Sequence, residues 1–264
     1  MIRLIKRIVS LALVVLAFTG CATTTDSPRT QAVKSNALRV GVSLDYPPMI
    51  FKLDGRVAGA EADLALRLGD ALGNPVEFVE LGRDQLIASL MERKIDIIMS
   101  GMTITEARKV RINFTDPYLE SGLVALMRAE DAWEYDSLPK ILDTVARVGV
   151  VRNTTGEAYV RSNLSSAAAV IPLEKASDAA PALKNRRIDL FVNDAPSIAW
   201  LVSENETLKG FWEPLNKDYL GWGICRDDPQ LLTQVNYILR NWKKNGTLKE
   251  VLLRWLPYWK KFDE

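Results

Sequence analysis

The sequence predicts an α/β protein of two lobes, each a mixed, mainly parallel sheet with flanking helices, joined by a two-segment hinge. Three observations carry this. Short apolar runs of strand length alternate with stretches of helical period, the pattern of parallel sheets covered by helices. The pattern restarts midway: the twelve residues from Leu90 to Gly101 parallel those from Leu183 to Asp194, sharing Ile-Asp at Ile95-Asp96 and Ile188-Asp189, and Val40-Gly41-Val42 parallels Val148-Gly149-Val150. The chain has 264 residues, 48% hydrophobic and 25% charged, enough for one large domain or two lobes.

Taken in order, Met1 to Arg7 is basic, and Ile8 to Phe18 is an apolar run too short to span a bilayer comfortably. This is the pattern of a secretion signal over residues 1–20. It ends Leu16-Ala17-Phe18-Thr19-Gly20-Cys21, which resembles a bacterial lipoprotein processing site, although Phe18 departs from the usual Leu. That resemblance implies lipidation at Cys21, a new N-terminus there, and attachment to a membrane. Ala22, being non-acidic, favours the outer membrane in a cell that has one. Residues 21–36 then read as lipidated cysteine and flexible tether, rich in Thr, Ser and Gln.

Leu38 to Ser43 reads as a strand and Asp45-Tyr46-Pro47-Pro48 as a rigid turn. Ala60 to Leu72 reads as a helix with Leu64, Leu68 and Leu72 on one face and Gly73 as its stop. Val76 to Val79 is a strand, and Asp84 to Arg93 a helix burying Leu86, Ile87, Leu90 and Met91. Ile95 to Met99 is a buried strand broken by Ser100-Gly101. Thr103 or Thr105 then caps a short helix holding Arg108. Gly122 to Met127 is a further strand, after which the plan repeats. Arg147 to Val151 is a strand, Thr154-Thr155-Gly156 opens a helix, and Val170 to Leu173 is a strand. A helix begins near Asp178, with Pro181 in its first turn. Ile188 to Val192 is a strand ending at Asn193-Asp194. Tyr219 to Arg226 returns the chain to the first lobe. Gln230 to Lys244 and Thr247 to Trp255 are closing helices, with Tyr258 and Trp259 expected against the first lobe. The hinge is expected near Val124–Arg128 and Leu220–Cys225. Residues 37–126 with 222–264 make the first lobe, and 127–221 the second.

Composition excludes several functions. Without Arg3, Lys6 and Arg7 the 34 basic residues fall to 31, against 33 acidic, so the body is near neutral and offers no nucleic-acid surface. There is no histidine, which removes Ser-His and Cys-His catalysis. With two cysteines, Cys21 and Cys225, a structural zinc site is out. No metal or cofactor is expected, and Cys225 is expected as a buried free thiol.

Ligands of open α/β sheets bind beyond the carboxyl ends of the strands. In the first lobe those ends carry Tyr46 and Ser100 to Thr103, with Arg108 close behind. In the second they carry Thr154-Thr155 and Asp194. A guanidinium for an anion, a carboxylate for a cation, hydroxyls and one aromatic face together suit a small zwitterion.

At this point a resemblance can be stated. It rests on Gly41-Val42 with Asp45-Tyr46-Pro47-Pro48, on Ala62-Asp63-Leu64-Ala65, and on the run Gly101-Met102-Thr103-Ile104-Thr105-Glu106-Ala107-Arg108. Phe114-Thr115-Asp116-Pro117-Tyr118 continues it. Residues 38 to 256 are similar to bacterial extracellular solute-binding proteins of the polar amino-acid family, with the type II periplasmic-binding-protein fold. The resemblance implies a monomeric, non-enzymatic binder of an amino acid, serving an ABC permease in the inner membrane from the periplasm. It implies Arg108, helped by Thr103 and by amides near Ser100 and Gly101, on the α-carboxylate, with Thr154 and Thr155 reaching it from the second lobe. It implies Asp194 on the α-ammonium and Tyr46 in the side-chain pocket. Gly59-Ala60-Glu61 departs from the family's usual Gly-Phe-Asp. Ser43 stands where some relatives place an acid for basic ligands, which argues against a lysine or arginine specialist. Arg83 stands where relatives carry an apolar or aromatic pocket residue, either to select an acidic side chain or to point to solvent. Two other readings stay open. One is a ligand-sensing module acting through a separate partner. The other is a cyclohexadienyl-dehydratase-like enzyme, for which Glu61 or Glu157 would be the acid.

Overall fold

The computed structural model describes residues 36–257. The signal, Cys21, nearly all of the tether, and Tyr258 and Trp259 lie outside them. Residues 36–257 lie within one compact unit.

The first lobe opens with β1 (Leu38–Val42). A small antiparallel sheet follows, of β2 (Asp45–Tyr46), β3 (Ile50–Leu53) and β4 (Arg56–Ala58). Helix α1 (Ala60–Leu72) ends at Gly73, whose φ of 71° lets its N–H turn back to the last carbonyls. Then come β5 (Val76–Glu80), α2 (Leu86–Met91), β6 (Ile97–Ile98), the four-residue α3 (Glu106–Lys109) and β7 (Asn113–Phe114). Strand β1 pairs in parallel with both β5 and β6. Ile97 and Ile98 point to opposite faces, one into the core with Leu64 and Leu68, the other into the core with Leu86 and Leu90.

A short strand, β8 (Leu119–Ser121), leads to the second lobe. There β9 (Leu123–Arg128), α4 (Leu138–Leu142), β10 (Arg147–Val151), α5 (Thr155–Asn163), β11 (Ala169–Leu173), α6 (Ala179–Lys184), β12 (Leu190–Asp194), α7 (Ala195–Ser203) and β13 (Leu208–Phe211) follow. The sheet order is β11-β10-β12-β9-β13, with β9 antiparallel to β12 and β13. The chain returns through β14 (Asp218–Leu220) to β15 (Gly223–Ile224), which sits between β6 and β7 in the first sheet. Helices α8 (Pro229–Asn245) and α9 (Thr247–Trp255) cover that sheet beside α1.

The crossing point differs from the expectation. Val124–Arg128 belongs to an interior strand: Leu123, Ala125 and Met127 enter one core of the second lobe, Val124 and Leu126 the other. A strand buried on both faces reads as an unbroken apolar run and carries no mark of a sheet change. The first crossing is at β8 instead, and the second, at β14, meets the expected segment at Leu220; the two pair antiparallel from Leu119–Leu220 to Ser121–Asp218.

The internal repeat is physical. Arg39 donates from its backbone N–H and its Nε to one oxygen of Asp96, and Arg147 does the same to Asp189. Arg93 and Arg186 both take positive φ, at 58° and 52°. Gly41 lies so close to Ile95 that an added Cβ would fall 2.2 Å from its Cδ1, and Gly149 meets Ile188 at 2.5 Å in the same way. Each Ile therefore needs the missing side chain beside it to pack under its sheet.

Candidate functional site

Strand ends and helix starts from both lobes surround one cavity of ≈ 200 Å³. From the first lobe it takes Arg83, Ser100, Gly101, Met102, Thr103 and Arg108. From the second it takes Asn153, Thr154, Thr155 and Asp194. A smaller recess continues it between Tyr46, Asp45 and Arg83 on one side and Thr154, Asn193 and Asp194 on the other. Thr103 Oγ1 and Thr155 Oγ1 stand 3.5 Å apart across the gap, so the lobes are closed on each other.

Arg108 is placed by local chemistry. Thr105 caps α3 by accepting the Arg108 N–H at 3.3 Å, and Arg108 Nη1 donates to Thr103 O at 2.7 Å. The guanidinium is thereby folded back into the cavity rather than extended to solvent. Burial, then the charge of Arg83, pull its pKa down, against an upward pull from Asp194. The arginine is thus positioned and under-compensated, the state in which a planar anion is worth most to it.

Asp194 closes β12 and precedes α7. Its Oδ1 is shut off from solvent and has no partner at hydrogen-bond geometry, although the Tyr46 hydroxyl is near enough to favour the charged form. Burial is the main influence and lifts its pKa to about 6. Arg83 opposes this, and Asp218 adds to it. A buried carboxylate oxygen without a donor is a receptor for one.

The remaining predicted residues are also gathered here, with two corrections. Gly101 takes φ 61°, and the Tyr46 ring lies against it, 2.4 Å from where a Cβ would stand. Its N–H, expected to serve a carboxylate, donates instead to Glu61 Oε1 at 2.9 Å. The Ser100 hydroxyl likewise accepts from the Ser43 N–H at 2.9 Å, tying two strand ends together. Both shape the floor of the cavity. Donors facing an anion are then Arg108, the Ser100 and Thr103 hydroxyls and the start of α5. There Thr154 accepts the Glu157 N–H, and the positive end of the helix faces the cavity.

Arg83 does not point away to solvent. Its Nη2 donates to Asp45 Oδ1 at 2.8 Å, and its guanidinium carbon sits 5.8 Å from the Tyr46 ring centroid. Tyr46 is thus held between Gly101 and Arg83, with its ring buried. Sequence reasoning missed Asp45, because nothing in the spacing joins it to Arg83, 38 positions away. It also missed Arg111 and Asn153, which lie on the rim. The two candidate acids of the enzymatic reading are elsewhere. Glu61 is fully buried behind Gly101, holding Tyr118 Oη and the Gly101 N–H. Glu157 pairs with Arg161 at 2.8 Å.

Two sheets joined by paired crossing strands, with a charged cleft between them, define a two-lobed binding protein. The chain belongs to the bacterial extracellular solute-binding proteins, family 3, matching that family over residues 38–258. It is 28% identical over 232 residues to ABC transporter arginine-binding protein 1 of Escherichia coli (strain K12), covering 86% of this chain and 93% of that protein. It is also 28% identical over 222 residues to the L-cystine-binding protein TcyJ of the same strain, covering 83% of this chain and 82% of that protein. Among solved structures it superposes with a TM-score of 0.77, at 33% identity, on an ancestral amino acid-binding protein described as a precursor of cyclohexadienyl dehydratase. That match covers 83% of this chain and 95% of the other. The fold is the type II periplasmic-binding-protein fold, and the class is binding protein rather than enzyme.

Proposed function

We propose that this protein captures a polar α-amino acid in the cleft between its lobes and presents it to an ABC permease. One observation carries the reading: Arg108 from the first lobe and Asp194 from the second line the same cavity. The α-carboxylate meets Arg108, the Thr103 hydroxyl and the start of α5 with Thr154 and Thr155. The α-ammonium meets Asp194, supplying the donor that Oδ1 lacks. Tyr46 and Arg83 border the ligand's side chain. Relatives named for arginine and cystine support the ligand class, and the transporter in one of those names supports the partner. A cavity of ≈ 200 Å³ lies below the roughly 300–1,000 Å³ of drug-sized sites and suits a free amino acid rather than a peptide.

The lobes move as units about β8 and β14, and the Thr103–Thr155 contact belongs to the closed form. Cys21 carries the lipid that holds the protein at a membrane, on the outer side of the cytoplasmic membrane or at an outer membrane. Residues 22–36 give it reach.

The test is a thermal-shift screen of the intact protein against the twenty amino acids. A ligand at a hundred times its dissociation constant stabilises by about 2.7 kcal/mol. At least one α-amino acid should raise Tm, and Arg108→Ala and Asp194→Ala should each abolish the response. An unchanged response in Arg108→Ala overturns the assignment.

A further inference from the structure

Resting on that reading, we propose that the cleft selects an α-amino acid with a second, side-chain carboxylate, and that Arg83 is the residue that makes the selection. The charges decide it. Arg83, Arg108 and Arg111 all line the cavity, against Asp84 and Asp194. The two charged groups of the α-carbon consume Arg108 and Asp194 and leave Arg83, paired with Asp45, bordering the adjoining recess.

The acids beyond them are already engaged or outward. Asp45 accepts from Arg83 and from the Ser43 hydroxyl, both on the same oxygen, at 2.8 and 2.9 Å. Asp218 accepts from Asn216 at 2.8 Å. Asp84 is exposed. Arg111 donates to Met91 Sδ at 3.5 Å, and among the described residues neither it nor Arg108 forms an ion pair with a carboxylate. A cationic side chain would enter beside like charges. It would also find the face of Tyr46 and the Asp45 carboxylate, the two features that would hold it, taken by Arg83. In effect the protein has built a cationic side chain of its own into that recess. A ligand carboxylate meets the opposite situation. The planar Arg83 fork has donors beyond the one committed to Asp45, and it is held in place by the ring and the ion pair. The charge of Arg83 also lies close enough to Arg108 to disfavour its charged form, a repulsion that an added anion relieves.

Two of the relatives named above bind arginine and cystine, so this specificity runs against similarity and is decided by Arg83 with Asp45. The test is calorimetric titration of the intact protein with L-glutamate, L-aspartate, L-glutamine, L-asparagine, L-arginine and L-lysine. Glutamate or aspartate should bind at least tenfold tighter than its amide, and arginine and lysine should bind at least a hundredfold weaker than the acid. In Arg83→Met the preference for the acid over its amide should vanish. Arginine should bind more tightly than in the wild type, because Tyr46 and Asp45 are freed. Arg83→Lys should keep a weakened acid preference. Tighter binding of arginine or lysine than of either acid by the wild type overturns the selection while leaving amino-acid capture standing. Binding of none of the twenty amino acids overturns both.

Discussion

The carboxyl of Glu61 offers a quantitative test of how the cavity floor is held. It is completely buried, and its Oε1 accepts the Gly101 N–H and the Tyr118 hydroxyl. Its Oε2 has no partner, and the indole N–H of Trp222 nearby falls short of hydrogen-bond geometry. Burial lifts the pKa from 4.5 to about 7 against the pull of those donors. The protonated form is therefore favoured by folding. Its stabilisation is complete below the unfolded value of 4.5 and is lost as pH rises through 7. At about 1.4 kcal/mol per unit, the full loss approaches about 3.5 kcal/mol. Glu61→Gln keeps the acceptor for Gly101 and Tyr118, removes the titration, and leaves an unpaired NH₂ costing about 1–3 kcal/mol at every pH. Urea unfolding of both proteins at pH 5 and pH 8 reads the difference. The wild type should be the more stable at pH 5. Its advantage should shrink by about 2.5 kcal/mol at pH 8, so that the curves converge or cross. Parallel dependence in the two proteins would refute the assignment of a neutral Glu61 beneath Gly101.

Two further outcomes follow from the same region. Gly101→Ala forces an L residue into φ 61° and drives its Cβ into the Tyr46 ring. It should cost about 2 kcal/mol or more in chemical denaturation and weaken ligand binding, since the ring must leave the cavity wall. Asp194, with its pKa at about 6, must be charged to receive an ammonium. The affinity for the amino acid should be flat above pH 7 and fall about tenfold by pH 5, and binding near pH 6 should release protons detectable by calorimetry in buffers of different ionisation enthalpy. A pH-independent affinity across that range would count against Asp194 as the ammonium partner.

Much of this protein was legible in the residues because local rules govern it. Leu64, Leu68 and Gly73 are enough to write α1, since helical period and a left-handed stop are properties of neighbouring positions. Leu90 to Gly101 and Leu183 to Asp194 announce two copies of one plan because each copy solves the same packing problem beneath its own sheet. Arg108 and Asp194 could be named from where strands end. Tertiary structure alone decided what lies between elements far apart in the chain. The crossing at β8 and β14 hides in sequence, because an antiparallel pair of short strands leaves no periodic trace and the apolar run after it belongs to a sheet interior. The Gly101 amide turns to Glu61, 40 positions earlier. Arg83 turns inward because Asp45 and Tyr46 offer it an ion pair and an aromatic face, a meeting set by how β2 and the β5–α2 connection lie side by side. Charge recognition acts through space rather than along the chain, so only the folded arrangement could show that Arg83 turns to the cavity and that Asp45 is its partner.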